Sequence, residues 1–386
     1  MFKQKNQFLF QTIILLVGVS IIGSNAFLMS PILSNIAQSL NTDVTKIAWS
    51  ISAYGGAMAL GGLFLTGLPQ RIGSKSTLLL TGTILSIGIL ITGLATNWIM
   101  LVVAQIITGL SAGVLLPTLY SMTAIIAPKG KESATLGKVI SGWSLAMVAG
   151  VPLSAFISEL LSWRYSYFFV FILSSISTLG YSLLPSKECS STVTSLKSAF
   201  QVPMAKPIFI ITFLYMVSFY GTYTFLGSYI QQKLLYSVVY AGMVVLSYGF
   251  GFGVAGMFLG KFIDKRESWE VISPTLLLVC GIYLLLLILS NHYWSLLIGC
   301  AFWGLINQIA LNCLVSILSK LDYRQRVRLI GIYSAVAYGG TMVAALSYGV
   351  LYLYGGFHYI LITSALLCMF AFLIVYRLKR HNRTTL

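Results

Sequence analysis

Amides interrupt otherwise apolar stretches of this chain, among them Asn25, Gln105, Asn307, Gln308 and Asn312. An amide offers donors and an acceptor together, so such a set suits hydroxyls, base edges or other amides. Aromatic rings accompany them. Trp143 stands close to Ser141 and Ser144, Tyr215 and Phe219 are four residues apart and share one helix face, and Tyr333 follows in the second half. Rings of this kind can sandwich a sugar or a base. The same amides also serve as glue between helices, and the same rings as interfacial anchors, so both uses stay open.

Charge is missing from these stretches. The eight acids, Asp43, Glu132, Glu159, Glu188, Asp264, Glu267, Glu270 and Asp322, lie in or beside expected loops, and His292, His358 and His381 sit at loops or in the tail. An interior without carboxylates has no group to exchange a proton for a cation, and one without Lys or Arg has none to hold an anion. A site here favours neutral or zwitterionic solutes. No Gly-x-x-x-x-Gly-Lys-(Ser/Thr) phosphate loop or metal-ligand cluster is present. Neither enzymatic activity nor a metal or other cofactor is expected.

The elements that must position these groups follow from composition. Of 386 residues 58% are hydrophobic and only 8% charged, a balance that belongs in lipid. A hydrocarbon layer about 30 Å thick takes roughly 20 apolar helical residues. Between successive charges, single spans run from Lys5 to Asp43, Lys46 to Arg71, Lys138 to Glu159, Arg164 to Lys187, Lys206 to Lys233 and Lys233 to Lys261. The stretches Lys75 to Lys129, Glu270 to Lys320 and Arg328 to Arg377 are twice as long. Each carries a turn signal near its middle, at Thr96-Asn97, Ser290-Asn291-His292 and Gly355-Gly356. The expectation is an all-α membrane protein of twelve spans.

The formal charge of +16, from 24 basic and 8 acidic residues, then acts as an orientation signal. With both termini cytoplasmic, only Lys46, Arg164 and Lys233 among the basic residues fall outside, as the positive-inside rule requires. The positive charge faces lipid headgroups and no nucleic-acid partner is expected. Asp43 and Glu159 are the outward-side acids that could couple protons. The five cysteines, Cys189, Cys280, Cys300, Cys313 and Cys368, have no Cys-x-x-Cys spacing and read as packing residues. A Ser-, Thr-, Lys- and Pro-rich stretch divides the chain into a six-helix bundle at 1–185, a cytoplasmic linker at 186–206 and a second bundle at 207–386.

Three motifs resemble the major facilitator superfamily. The family's loop signature, Gly-x-x-x-Asp-(Arg/Lys)-x-Gly-(Arg/Lys), is met after span 8 by Gly260, Asp264 and Lys265. After span 2, Arg71, Gly73 and Lys75 match, while Gln70 stands at the acid position. In span 5, Gly142-Trp143-Ser144-Leu145-Ala146-Met147-Val148-Ala149-Gly150-Val151-Pro152-Leu153 is similar to the antiporter signature of the drug and sugar efflux branch. With the following Trp163-Arg164 it is most similar to members that export sugars or purine nucleosides. In span 4, Gln105-Ile106-Ile107-Thr108-Gly109 matches a further family segment.

The resemblance implies two pseudo-symmetric six-helix halves that alternate access to a midplane site, where Asn25, Gln105, Trp143, Tyr215, Phe219, Asn307 and Tyr333 are the candidate substrate contacts. It implies a plasma-membrane secondary transporter, acting as a monomer, that exports a small polar solute with protons or another ion as coupling partner. Gln70 keeps a hydrogen bond but loses a charge, so a weaker cytoplasmic latch is expected in the first half. Export of amphiphilic drugs or of a metal-chelating metabolite is the alternative, and a transport-incompetent sensor or scaffold is the alternative of another class.

Overall fold

The computed structural model describes residues 2–65, 67–186, 201–259, 268–322 and 325–384. Among these the secondary structure is helical, with short turns between helices. In hydrocarbon each backbone N–H and C=O must be paired within its own segment, which makes these apolar stretches helices. Among the described residues, ten helical stretches are long and apolar enough to cross a membrane. The last, Arg328–Arg380, has 53 residues, about twice the length of one crossing. It breaks at Gly356, where φ is 64° and ψ is −160°, a left-handed conformation open to glycine. Trp163–Tyr181 supplies the remaining helix.

The twelve long helices among the described residues are α1 (Phe2–Ser39), α2 (Val44–Phe64), α3 (Ser74–Gly93), α4 (Trp98–Ile126), α5 (132–160), α6 (Trp163–Tyr181), α7 (Ala205–Gln232), α8 (Val238–Val254), α9 (Ser268–Leu289), α10 (Tyr293–Leu321), α11 (326–355) and α12 (357–384). They coincide with the twelve expected spans. Two of the doubled stretches divide at their polar turns. Asn97 caps α4, its Oδ1 accepting from the Met100 N–H at 2.9 Å, and His292 precedes α10. Two π-helical turns interrupt the regular ladder, Ala146–Gly150 inside α5 and Ala255–Leu259 at the end of α8.

Packing repeats between the two sets of six. The pairs α2–α4, α3–α4 and α3–α6 recur as α8–α10, α9–α10 and α9–α12. The sets meet along three seams, α1–α7, α2–α11 and α5–α8. Small residues permit close approach: a Cβ on Gly109 or Gly113 would strike the backbone of α2 at Tyr54 and Met58. Every residue from Tyr215 to Ile230 of α7 is buried, and Phe27 to Ser34 of α1 likewise. Helices covered on all faces are enclosed by the bundle, whereas α9 turns Leu277, Leu278, Leu284 and Ile288 outward. Cys280, Cys300, Cys313 and Cys368 are free and buried, while Cys189 lies outside the described residues. Of the expected linker, residues 187–200 also lie outside them.

Candidate functional site

In the first half the polar groups gather around Gln105, which is 1% exposed. Its Oε1 accepts from Asn25 Nδ2 at 3.4 Å and from Thr108 Oγ1 at 3.3 Å, while its Nε2 donates to Thr92 Oγ1 at 3.1 Å. The cluster thus ties α1, α3 and α4 together, and it uses both ends of the Gln105 amide. Asn25 Oδ1 and the Tyr54 hydroxyl of α2 are buried without a well-formed hydrogen bond, and the polar partner of the phenol is the Asn25 side chain.

The second half repeats the pattern around Asn307. Tyr215 OH donates to Asn307 Oδ1, and Asn307 Nδ2 donates to Tyr248 OH. This amide is also consumed at both ends. Around it lie Phe219, 5.8 Å from Tyr248 and 5.5 Å from Trp303 between ring centroids. Thr222, three residues after Phe219, turns instead to Ser364 on α12 at 2.8 Å, where Tyr348 OH also bonds at 2.9 Å.

Between the halves the rings form a belt. Phe27 of α1 stacks on Tyr220 of α7 at 6.1 Å with 8° between planes. It meets Trp143, Phe219 and Tyr223 edge-on at 5.9, 6.5 and 5.1 Å. Trp143 Nε1 donates to Tyr120 OH at 3.0 Å. Tyr338 has the phenols of Tyr54, Tyr120, Tyr220 and Tyr333 as electrostatic neighbours, and Tyr333 lies in the same reach of Tyr215 and Tyr220. The structure therefore brings the seven expected contact residues into one central region, two of them, Gln105 and Asn307, with both ends of the amide bonded to protein. Phe27, Tyr54, Tyr120, Tyr220, Tyr248, Trp303 and Tyr338 belong to the same region. Their aromatic type was the only signal, and 13% of the chain is aromatic.

One side of the belt is closed. Away from the termini, Tyr223 OH donates to the Phe27 carbonyl at 3.1 Å, Gln231 Nε2 to the Pro31 carbonyl at 2.5 Å and Gln232 Nε2 to Ser34 Oγ at 3.2 Å. Ser30 Oγ donates to the Tyr223 carbonyl, and Ser52 Oγ of α2 to the Met342 carbonyl of α11 at 2.8 Å. Gly227 makes this approach possible, because a Cβ there would lie 2.6 Å from Pro31 Cα. Toward the termini, Tyr120, Trp143, Gln308, Asn312, Tyr333 and Tyr338 remain half-buried. Gln308 Nε2 donates to Asn312 Oδ1 at 3.4 Å.

The span 5 motif lies against α1. A Cβ on Gly142 would lie 2.6 Å from the Leu16 carbonyl oxygen, one on Gly150 would strike Ser24, and Pro152 sits in the first turn after the π-helical segment. In the first loop, Gln70 and Arg71 are exposed on a one-turn helix, Leu68–Ile72, and Lys75 is half-buried. Gly73 has φ 84°, which explains the glycine, and its carbonyl accepts from Thr77 N at 3.0 Å and Oγ1 at 2.9 Å. Gly260, Asp264 and Lys265 lie outside the described residues. Asp43 precedes α2 and sits 4.0 Å from Lys46; Glu159 is exposed at the end of α5. Both acids stand apart from the central belt, at helix ends.

Comparison with known proteins bears on this arrangement. A model of the Major Facilitator Superfamily matches residues 15–322 and 208–385. The chain is 29% identical over 398 residues to the uncharacterized MFS-type transporter YwfA of Bacillus subtilis, covering 99% of this chain and 95% of that one. It is 26% identical over 288 residues to a probable sugar efflux transporter of Helicobacter pylori, covering 74% and 73%. The human organic anion transporter MFSD10 (TETRAN) has a similar fold, with a TM-score of 0.71 at 13% identity over 95% of this chain and 99% of that one.

Proposed function

Because this chain belongs to the Major Facilitator Superfamily, we propose that it is a secondary transporter exporting a small neutral or zwitterionic polar metabolite, such as a sugar or a nucleoside, by alternating access. The observation that carries the choice of solute is the interior. Among the described residues, every buried polar side chain outside the tyrosines and tryptophans is a Ser, Thr, Asn or Gln. A cation or anion taken into such a site would lose its hydration without gaining a counter-charge. A neutral solute loses far less, and the amides and phenols replace its hydrogen bonds.

Residues 1–185 and 207–386 rock about the central belt in this reading, with the α1–α7 and α2–α11 seams closed on the side away from the termini. Both termini face the cytoplasm of a cell whose plasma membrane holds the monomer, so the closed side is the external one. Export as the direction draws support from the efflux transporter among the relatives. Coupling is to protons or another ion; Asp43 and Glu159, the external-side acids, stand apart from the belt, and neutralising them tests whether either carries the proton. The density of rings also favours a second reading, export of uncharged amphiphilic drugs.

Proton flux in liposomes holding the purified chain tests this, with sugars, nucleosides, amino acids and cationic dyes supplied in turn. Uptake of a neutral solute is expected. Transport confined to cationic dyes would overturn the neutral-solute reading. Proton movement evoked by the solute would establish antiport, and solute movement without protons would remove Asp43 and Glu159 from the mechanism.

A further inference from the structure

Proline has no N–H, so inside a helix it leaves the carbonyl four residues earlier without its usual donor. Pro31 lies inside α1, and the carbonyl it strips is that of Phe27. Away from water such a group needs another partner. Its donor comes from the other half, where Tyr223 OH of α7 bonds it at 3.1 Å. Phe27 and Tyr223 are both buried, so this bond is shielded from solvent. Tyr223, Gly227 and Gln231 stand four residues apart and form one stripe of α7. The whole stripe meets the turn around Pro31: Gly227 lets the Pro31 backbone approach, and Gln231 Nε2 donates to the Pro31 carbonyl at 2.5 Å.

Prolines inside α4 and α9 supply the contrast. Pro117 frees the Gly113 carbonyl, which lies 3.5 Å from where a Cβ on Gly62 of α2 would stand. Pro274 frees the Glu270 carbonyl, which accepts from Lys379 Nζ of α12 at 3.4 Å. Each of those contacts stays within one half and survives a rocking motion. The Phe27 contact joins the halves and breaks when the closed side opens. We propose that the Phe27 carbonyl is a switched acceptor: Pro31 denies it a helix partner, Tyr223 bonds it while the external side is closed, and water or a donor on the solute bonds it once that side opens. The proposal rests on the alternating-access reading above and gives it a specific exchanging contact. Tyr223 differs in this from the other donors of the seam, because its hydroxyl meets an acceptor that α1 itself cannot satisfy.

A double-mutant cycle in the full chain tests this, with Ser34→Cys as the reporter in every variant and reaction with an impermeant thiol reagent read by mass spectrometry at residue 34. With Pro31 in place, Tyr223→Phe leaves the carbonyl unpaired in the closed state and should raise labelling about threefold. In Pro31→Ala the helix regains an N–H at position 31, and Tyr223→Phe should then raise labelling by less than about 1.5-fold. Gln231→Met is the control for a general disturbance of the seam. Its acceptor, the Pro31 carbonyl, has the N–H of Asn35 as an ordinary helix partner, so its effect should be the same in both backgrounds. A threefold rise for Tyr223→Phe in both backgrounds would overturn the proposal and leave alternating access intact. Loss of the Gln231→Met effect together with that of Tyr223→Phe would overturn it too, because Pro31→Ala would then have dismantled the seam as a whole. If residue 34 stays unreactive in every variant, Gly227→Leu included, the seam does not open and both readings fall together.

Discussion

Away from the termini, α1 and α7 meet through backbone: Gly227 lies against Ser30 and Pro31, and Tyr223, Gln231 and Gln232 bond to α1 around it. Toward the termini the same bundle leaves Tyr120, Trp143, Asn312 and Tyr333 half-buried on α4, α5, α10 and α11. The two ends therefore differ in kind of contact, since one is closed by small residues and neutral hydrogen bonds while the other presents polar and aromatic tips. Interhelical hydrogen bonds in membranes contribute about 0.6 kcal/mol each on average. The hydrogen bonds along the closed seam amount to a few kcal/mol, which stabilises one state while leaving its opening within reach of a solute's binding energy.

The largest effect should come from filling the seam. Gly227→Leu forces α1 from α7, and overpacking of this kind costs ~1–3 kcal/mol. Transport should fall more than about tenfold, and a thiol introduced by Ser34→Cys should become reactive to an impermeant reagent. Full activity with that thiol still protected would show that closure does not depend on this contact.

Removing an amide from one of the two buried clusters comes next. Asn307→Ala leaves Tyr215 and Tyr248 without their partner and should lower stability in detergent by about 1–2 kcal/mol, read as a drop in thermal midpoint. Gln308→Ala, in the half-buried region one residue away, should change the midpoint by less than about 0.5 kcal/mol. Equal losses would erase the distinction between the two environments. Smaller still, Tyr223→Phe deletes a single hydroxyl from the seam. In the Ser34→Cys background it should raise thiol labelling about threefold, the equivalent of ~0.6 kcal/mol. The smallest effect is expected of Glu159→Gln with Asp43→Asn. Neither acid lies in the central belt, so dependence on a pH gradient should stay close to the parent's, and its loss would make one of them the proton carrier.

Much of the fold was legible in the sequence. Charges bounding the apolar stretches, together with Asn97 and Gly356 as punctuation, gave the twelve helices, because span length and turn chemistry are local properties. Trp163–Tyr181 shows how the charge-gap reading works where hydropathy is diluted by Tyr and Ser, since Arg164 still bounds its start. The site was less legible. Tyr215, Phe219 and Thr222 share helical spacing, yet Thr222 serves Ser364 on α12 while Tyr215 serves Asn307 on α10. Spacing places residues on a helix face and says nothing of which neighbour that face meets. Phe27, Tyr54 and Tyr220 were hidden among many rings of the same type.

By itself the sequence determined that this chain crosses a membrane with helices and keeps charge out of its interior. A hydrocarbon layer of fixed thickness and the need to pair every backbone group leave no other solution. Only the tertiary structure decided which helices each buried amide ties together. Asn25 and Gln105 are 80 residues apart and Tyr215 and Asn307 are 92 apart, and hydrogen-bond pairing is set by such distant partners once the helices pack.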